Sequence, residues 1–316
     1  MSGLTLTAGL SFSGGFTFTE APETNNTAAW FGGGGFPLIS TVDRITYATD
    51  TATASVRGPL SGAKAYLAAA GNFTDGWFGG GFQGGPNYTL STVNRITYAT
   101  DTATASVRGP LSVAIYSFAA AGNTTDGWFG GGHYPDTSLV ARITYATDTA
   151  TASVRGPLSL ARENLAAAGN TTDGWFGGAN NRSTVDRITY ATDTATASVR
   201  GPLSQARHGL AAAGDSDYGW FAGGNPTVSA PVSTVDRITY ATDTATASVR
   251  GPLSLARVYL AAAGNSTDGW FGGGGFAPGS RSTVDRITYA TDTATASVRG
   301  PLSSASYALA AAGGIQ

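Results

Sequence analysis

The amino-acid sequence predicts an all-β protein, a six-bladed β-propeller with four-stranded blades, on the strength of three observations. The 18-residue segment RITYATDTATASVRGPLS occurs six times without a substitution, beginning at Arg44, Arg95, Arg142, Arg187, Arg237 and Arg286. Successive copies are 51, 47, 45, 50 and 49 residues apart, which suits a four-stranded blade of about 40 to 50 residues. Six tryptophans, Trp30, Trp77, Trp128, Trp175, Trp220 and Trp270, hold the same phase, one per unit. A disordered low-complexity tract would share the Gly, Ala and Thr richness but not these fixed-phase aromatic and β-branched residues.

The unit around Trp175 shows why each strand is expected. Residues 165–169 (LAAAG) form a small-residue strand suited to the crowded wall of a central channel, and residues 170–174 (NTTDG) supply Asn, Asp and Gly for a tight turn. Residues 175–178 (WFGG) make the second strand. Across residues 184–190 (TVDRITY), alternation puts Val185, Arg187 and Thr189 on one face and Ile188 and Tyr190 on the other. Residues 191–194 (ATDT) turn the chain. Ala195, Ala197 and Val199 then alternate with Thr196, Ser198 and Arg200 until Gly201-Pro202 ends the fourth strand. The larger Trp, Phe, Ile, Tyr and Val side chains are expected to wedge between neighbouring blades.

The chain ends predict how the ring closes. Blade one has Trp30 but no LAAAG strand before it, whereas residues 309–313 (LAAAG) have no Trp after them. The C-terminal strand should therefore complete the first blade beside residues 28–33, removing two open sheet edges. Residues 25–316 form the propeller on this reading and residues 1–24 an N-terminal arm. Within the arm, residues 10–13 and 16–19 flank Gly14-Gly15 and form either a hairpin or a strand added to a partner's sheet. A simple packed extension is the alternative.

The order of small strand, turn, aromatic-Phe-Gly-Gly, loop, V-[DN]-R-x-x-Y and closing P-L-S-x-A-R resembles the kelch repeat. Its Gly doublets are Gly32-Gly33, Gly79-Gly80, Gly130-Gly131, Gly177-Gly178, Gly223-Gly224 and Gly272-Gly273. One departure is alanine, as at Ala54 and Ala197, where kelch proteins usually place an aromatic after the Asp turn. The resemblance covers about residues 28–313 and implies the propeller fold while saying little about activity. The near-identical WFGGG, STVDRITY and TATASVRGPLS segments are also similar to repeat proteins of tailed phages infecting marine cyanobacteria. That resemblance implies a virion or tail component made in the host cytoplasm.

Composition limits the partners. With 18 Lys+Arg against 20 Asp+Glu and a net charge of -2, no basic stripe offers the footprint that a nucleic-acid backbone requires. Absence of cysteine removes disulfides, Cys-ligated zinc and thiol nucleophiles, including the Cys-Tyr crosslink of kelch-fold copper oxidases. The first 20 residues carry neither a positive n-region nor an unbroken apolar run, so neither a secretory signal nor membrane insertion is expected.

In an up-and-down blade, the second-to-third and fourth-to-first loops share one face, and nearly all differences between copies fall there. The candidate binding residues are Phe36, Lys64, Tyr66, Phe82, Tyr88, Tyr116, His133, Tyr134, Arg162, Asn164, Arg182, Arg207, His208, Arg257, Tyr259, Phe276, Arg281 and Tyr307. Tyr, Arg, Asn and His on loops over a rigid scaffold have the composition of a recognition surface. Relaxed selection on exposed loops would give the same pattern.

Catalysis has less support. His133 and His208 come from different blades without metal-like spacing, and a glycoside-hydrolysing carboxylate pair on this face would have to be Asp136 and Glu163. Repeated acids such as Asp50 and Asp75 read as turn caps rather than calcium ligands. Arg44, Arg57 and their equivalents read as partners for aspartates within or between blades. Asn72, Asn123, Asn170 and Asn265 match glycosylation acceptors only in a secretory context.

No catalytic residue, metal or cofactor is therefore expected. The expected function is a non-enzymatic phage virion protein whose variable face binds a host surface glycan or protein. A purely structural virion component contacting neighbouring virion proteins is the first alternative, and a lectin or sugar-acting enzyme unrelated to phage the second. If the arm docks to other virion proteins, deleting residues 1–22 will abolish assembly while leaving the propeller folded. Unchanged particle assembly in a reconstitution assay would refute that role.

Overall fold

Six four-stranded antiparallel sheets are arranged around one axis in the computed structural model, which describes residues 27–313 except 36, 85–87, 134, 227–229 and 276–278. Blade four has strands Ala166–Gly169, Asp173–Ala179, Arg182–Thr189 and Ser198–Arg200 from the axis outward, its middle two strands longer than the five residues of those in the other blades. The third strand runs into a short 3-10 turn, Tyr190–Thr192, so Tyr190 belongs to that turn rather than to the strand. Among the described residues no helix is long and apolar enough to cross a membrane.

The ring closes as the chain ends predict. Strand Ala310–Gly313 pairs with Ala28–Gly32, placing Trp30 opposite Ala312 and Gly32 opposite Ala310. The N-terminal arm and its expected hairpin lie outside the described residues.

Outermost strands depart from expectation. They are only three residues long, and their valines do not wedge between blades: Val56, Val107, Val154, Val199, Val249 and Val298 are 58–61% exposed. Blades diverge with distance from the axis, so nothing covers these side chains.

Nearer the axis the repeated segment builds one joint six times. Trp30 and Val42 of blade one pack with Phe78, Ile96, Tyr98 and Ala105 of blade two, and Trp30 stacks on Tyr98 at 3.7 Å between centroids. Trp30 Nε1 donates to Asp101 Oδ2 at 2.9 Å, and Arg44 Nη1 donates to the same oxygen at 3.1 Å. Arg57 Nε lies 3.5 Å from it. Tryptophan, two arginines and the next blade's aspartate recur at Trp77 and Asp148, Trp128 and Asp193, Trp175 and Asp243, and Trp220 and Asp292. Trp270, Arg286 and Arg299 of blade six grip Asp50 of blade one, completing the circle.

Asp50 is therefore a bond between blades and not a turn cap. The turn cap is Asn72, whose Oδ1 accepts from the Thr74 and Asp75 amides at 2.9 Å, while Asp75 accepts from Thr97 Oγ1 at 2.6 Å. Backbone bonds extend the joint: Gly58 N donates to Asp101 O and Ala105 N to Pro59 O, both at 2.8 Å. A methyl group on Gly58 would overlap the Ala103 carbonyl, which explains glycine in every Arg-Gly-Pro.

Asp101→Ala leaves a buried indole N–H and two guanidinium groups without their shared acceptor. It is expected to lower stability by about 3–5 kcal/mol, read by urea denaturation; a loss below about 1 kcal/mol would show that the joint does not depend on the carboxylate.

Candidate functional site

The residue two positions before each innermost strand sits at the axis in a left-handed conformation. Tyr66, Ser117, Asn164, Tyr259 and Ala308 have φ of 55 to 57°, and Gly209 has φ of 63°. Each amide donates to the carbonyl of the equivalent residue one blade earlier. The bonds run from Ser117 to Tyr66 (2.8 Å), Asn164 to Ser117 (2.7 Å), Gly209 to Asn164 (2.8 Å), Tyr259 to Gly209 (2.6 Å), Ala308 to Tyr259 (2.8 Å) and Tyr66 to Ala308 (2.7 Å). Six bonds thus form an unbroken ring around the mouth. Holding non-glycine residues in this region costs on the order of 1 kcal/mol or more each, which the satisfied backbone groups offset. The ring frames a cavity of about 90 Å3, lined also by Leu67, Phe118, Leu165, Leu210, Leu260 and Leu309.

Side chains make this rim unequal. Tyr66 meets Tyr259 edge-on at 5.4 Å and also contacts Tyr116 and Tyr307. Tyr116 packs against Phe82 at 5.7 Å and His133 at 5.3 Å, Phe82 stacks on Tyr88, and His208 lies beside Tyr259. The consecutive ring positions Ser117, Asn164 and Gly209 are polar or small instead. Burial, with smaller contributions from neighbouring acidic groups, raises the Tyr66 and Tyr259 phenols above the ordinary tyrosine range. Both are neutral hydrogen-bonding groups at neutral pH. Burial also lowers the pKa of His208.

Beside Tyr116, His133 Nδ1 lies 2.6 Å from Asp136 Oδ1 and 3.5 Å from Glu163 Oε2. Asn180 Nδ2 donates to Glu163 Oε1 at 2.9 Å, and burial raises the pKa of Glu163. The two acids considered for glycoside hydrolysis are therefore neighbours with a histidine between them. Sequence spacing hid this because the loops belong to adjacent blades.

Of the predicted binding residues, Tyr66, Phe82, Tyr88, Tyr116, His133, Asn164, His208 and Tyr259 gather at or near the rim, while Arg182, at the start of a third strand, and Arg281 are exposed. Phe36, Tyr134 and Phe276 lie outside the described residues. Five assignments are corrected: Lys64, Arg162, Arg207, Arg257 and Tyr307 are buried, with exposures of 2, 2, 0, 1 and 6%. Arg162, Arg207 and Arg257 pair inside their own blades with Asp186, Asp236 and Asp285 at 3.0, 2.7 and 2.6 Å.

These positions vary together rather than independently. Where arginine gives way to Lys64 the aspartate position holds Asn94, and where it gives way to Ile115 it holds Ala141. Only blade one breaks the match, with Ser306 beside an unmatched Asp43 whose pKa burial raises. The ring residues Ser117, Gly209 and Ala308 were absent from the sequence prediction. Their signal was position, immediately before each repeated Leu/Phe-Ala-Ala-Ala/Leu-Ala-Ala-Ala strand start.

Joints, closure and axial mouth together define a six-bladed β-propeller with four-stranded blades. Among solved structures it is similar to YjhT, with a TM-score of 0.69 and 12% sequence identity over 88% of this chain and 99% of that one. At that identity the likeness concerns the fold alone. No protein-family profile and no curated protein matches the chain.

Lys64 generates a test of the buried layer. Its Nζ reaches Thr92 O at 3.5 Å, and burial lowers its pKa to about 8. The unfolded chain binds the extra proton between that value and the ordinary 10.5, so the penalty is full below about pH 8 and fades as pH rises through this window. Lys64→Met should raise the melting temperature at pH 7 by roughly 5 °C and give no such gain near pH 10.5. A pH-independent effect in calorimetry would refute the account.

Proposed function

We propose that the protein is a non-enzymatic recognition component of a tailed-phage virion and binds a host surface glycan or protein at the axial mouth of its variable face. The observation that carries the reading is the rim itself. Tyr66, Tyr116 and Tyr259 supply flat apolar surfaces with phenol hydroxyls, and Asn164, His133 and Glu163 supply polar groups beside them. Aromatic faces next to fixed polar groups suit a ligand with alternating apolar and hydroxylated surfaces, as a sugar has. The cavity of about 90 Å3 has room for the edge of one sugar or the tip of one side chain.

The virion placement rests on the similarity of the repeats to phage proteins, and the kelch-type reading rests on the glycine doublets. The second glycine of all six doublets, such as Gly33 and Gly178 with φ of 71 and 77°, adopts a conformation suited to glycine. In blade five the corresponding pair is Ala222-Gly223, one residue earlier than the Gly223-Gly224 doublet.

Purified protein should adhere to host cells, and Tyr66→Ala with Tyr116→Ala should reduce adhesion at least about tenfold without lowering the melting temperature comparably. Ala308 already occupies the left-handed position equivalent to Tyr66, so alanine is tolerated there. Wild-type protein that never adheres would refute the proposal.

A further inference from the structure

We propose that His133, Asp136 and Glu163 form a binding site for a divalent transition-metal ion of the zinc, cobalt or nickel class, between blades three and four on the variable face. This inference shares His133 and Glu163 with the proposed rim but does not need the glycan or protein reading.

The donors come from two loops whose positions are fixed independently. His133 N donates to Tyr116 O at 2.9 Å, and Thr137 N donates to Gly132 O at 3.0 Å, bracketing the turn that carries both His133 and Asp136. The Tyr116 ring packs against the imidazole at 5.3 Å. Glu163 enters from the loop before blade four, with Asn180 holding Oε1 at 2.9 Å while Oε2 faces His133 Nδ1 at 3.5 Å. A hydrogen-bonded carboxylate of this kind is the outer-shell support that metal ligands use.

Distance and charge both favour a cation. One ligand atom from each residue lies within 4.8 Å of the others. Metal bonds of about 2.0–2.2 Å in tetrahedral geometry put ligand atoms about 3.3–3.5 Å apart. His133 and Glu163 already have that separation at 3.5 Å, whereas Asp136 at 2.6 Å must swing outward by about 1 Å. Its side chain is 51% exposed and able to move.

Two carboxylate oxygens face one ring nitrogen, and that nitrogen carries at most one proton, whereas a metal ion would take all three groups as ligands. An imidazole among the ligands favours zinc, cobalt or nickel over calcium or magnesium. Three protein ligands leave a fourth position for water or an external donor.

Comparison among the blades separates the trio from background variation. Positions equivalent to Glu163 hold Ala65, Tyr116, His208, Val258 and Tyr307. The acid thus occurs only in the loop facing the His133-x-x-Asp136 turn.

Zinc titration of the full chain by calorimetry at pH 7, with cobalt absorption spectroscopy in parallel, tests the site. We expect saturation at one ion per chain and the intense visible bands of low-coordinate cobalt. Asn180→Ala should weaken zinc roughly tenfold to a hundredfold, and His133→Ala by at least about a hundredfold. His208→Ala should bind as the wild type does. Unchanged melting temperatures of the metal-free variants would establish that they fold. No saturable uptake below about 1 mM zinc, or uptake unaltered by His133→Ala and Glu163→Gln, would overturn the proposal.

Discussion

A single buried carboxylate per joint is the constraint on which the ring depends. Asp101 and its five equivalents are about as buried as core alanines, yet each sits within reach of an indole N–H and two guanidinium groups from the preceding blade. Removing such a charge from water costs several kcal/mol, and only a well-ordered set of donors offsets that cost. The arginine, the stacked tyrosine, the aspartate, the second arginine and the glycine all lie inside the same 18 residues. Each copy uses its arginines toward one neighbour and its tyrosine and aspartate toward the other. A change in one copy would need answering changes on both sides, which gives a physical reason for sequence identity across the segment.

A second polar layer lies inside the blades and follows a different rule. There the arginine of one loop meets the aspartate of the third strand of the same blade, as Arg207 meets Asp236, without contact across a joint being required. Such a layer can change as a matched set one blade at a time. Arg-Asp, Lys-Asn and Ile-Ala combinations coexist in one molecule for that reason. Arg207 Nη2 also donates to Phe221 O at 3.2 Å and Nη1 to Thr234 O at 2.9 Å, so the guanidinium serves backbone carbonyls at the end of the sheet.

Blade number, strand order and closure were legible in the sequence because they depend on period, alternation and unmatched ends. The 3-10 turn at Tyr190 was less so, since a tyrosine following an alternating strand fits that strand equally well. The variable face was not legible from pattern alone. Differences among copies at Lys64, Arg162, Arg207 and Arg257 look the same in sequence whether a side chain points to solvent or folds back under the loop. The partners that decide the matter lie 22 to 30 residues away on the third strand, as with Arg162 and Asp186. His133 and Glu163 posed the converse problem, because their meeting depends on two loops from successive blades.

Identical joints cannot tell one neighbour from another. Any blade edge presents the same tryptophan, arginines and valine, and any opposite edge presents the same tyrosine, aspartate and phenylalanine. The number of blades in the ring is consequently fixed by how many copies the gene supplies rather than by selectivity at the contacts. The pairing of Ala28–Gly32 with Ala310–Gly313 joins segments from opposite ends of the chain, and such distant contacts are slow to form. Until it forms, an open chain exposes two edges that match each other and also match those of every other open chain. Folding is then a competition between closing on itself and exchanging blades with a neighbour, and local chain concentration decides the outcome.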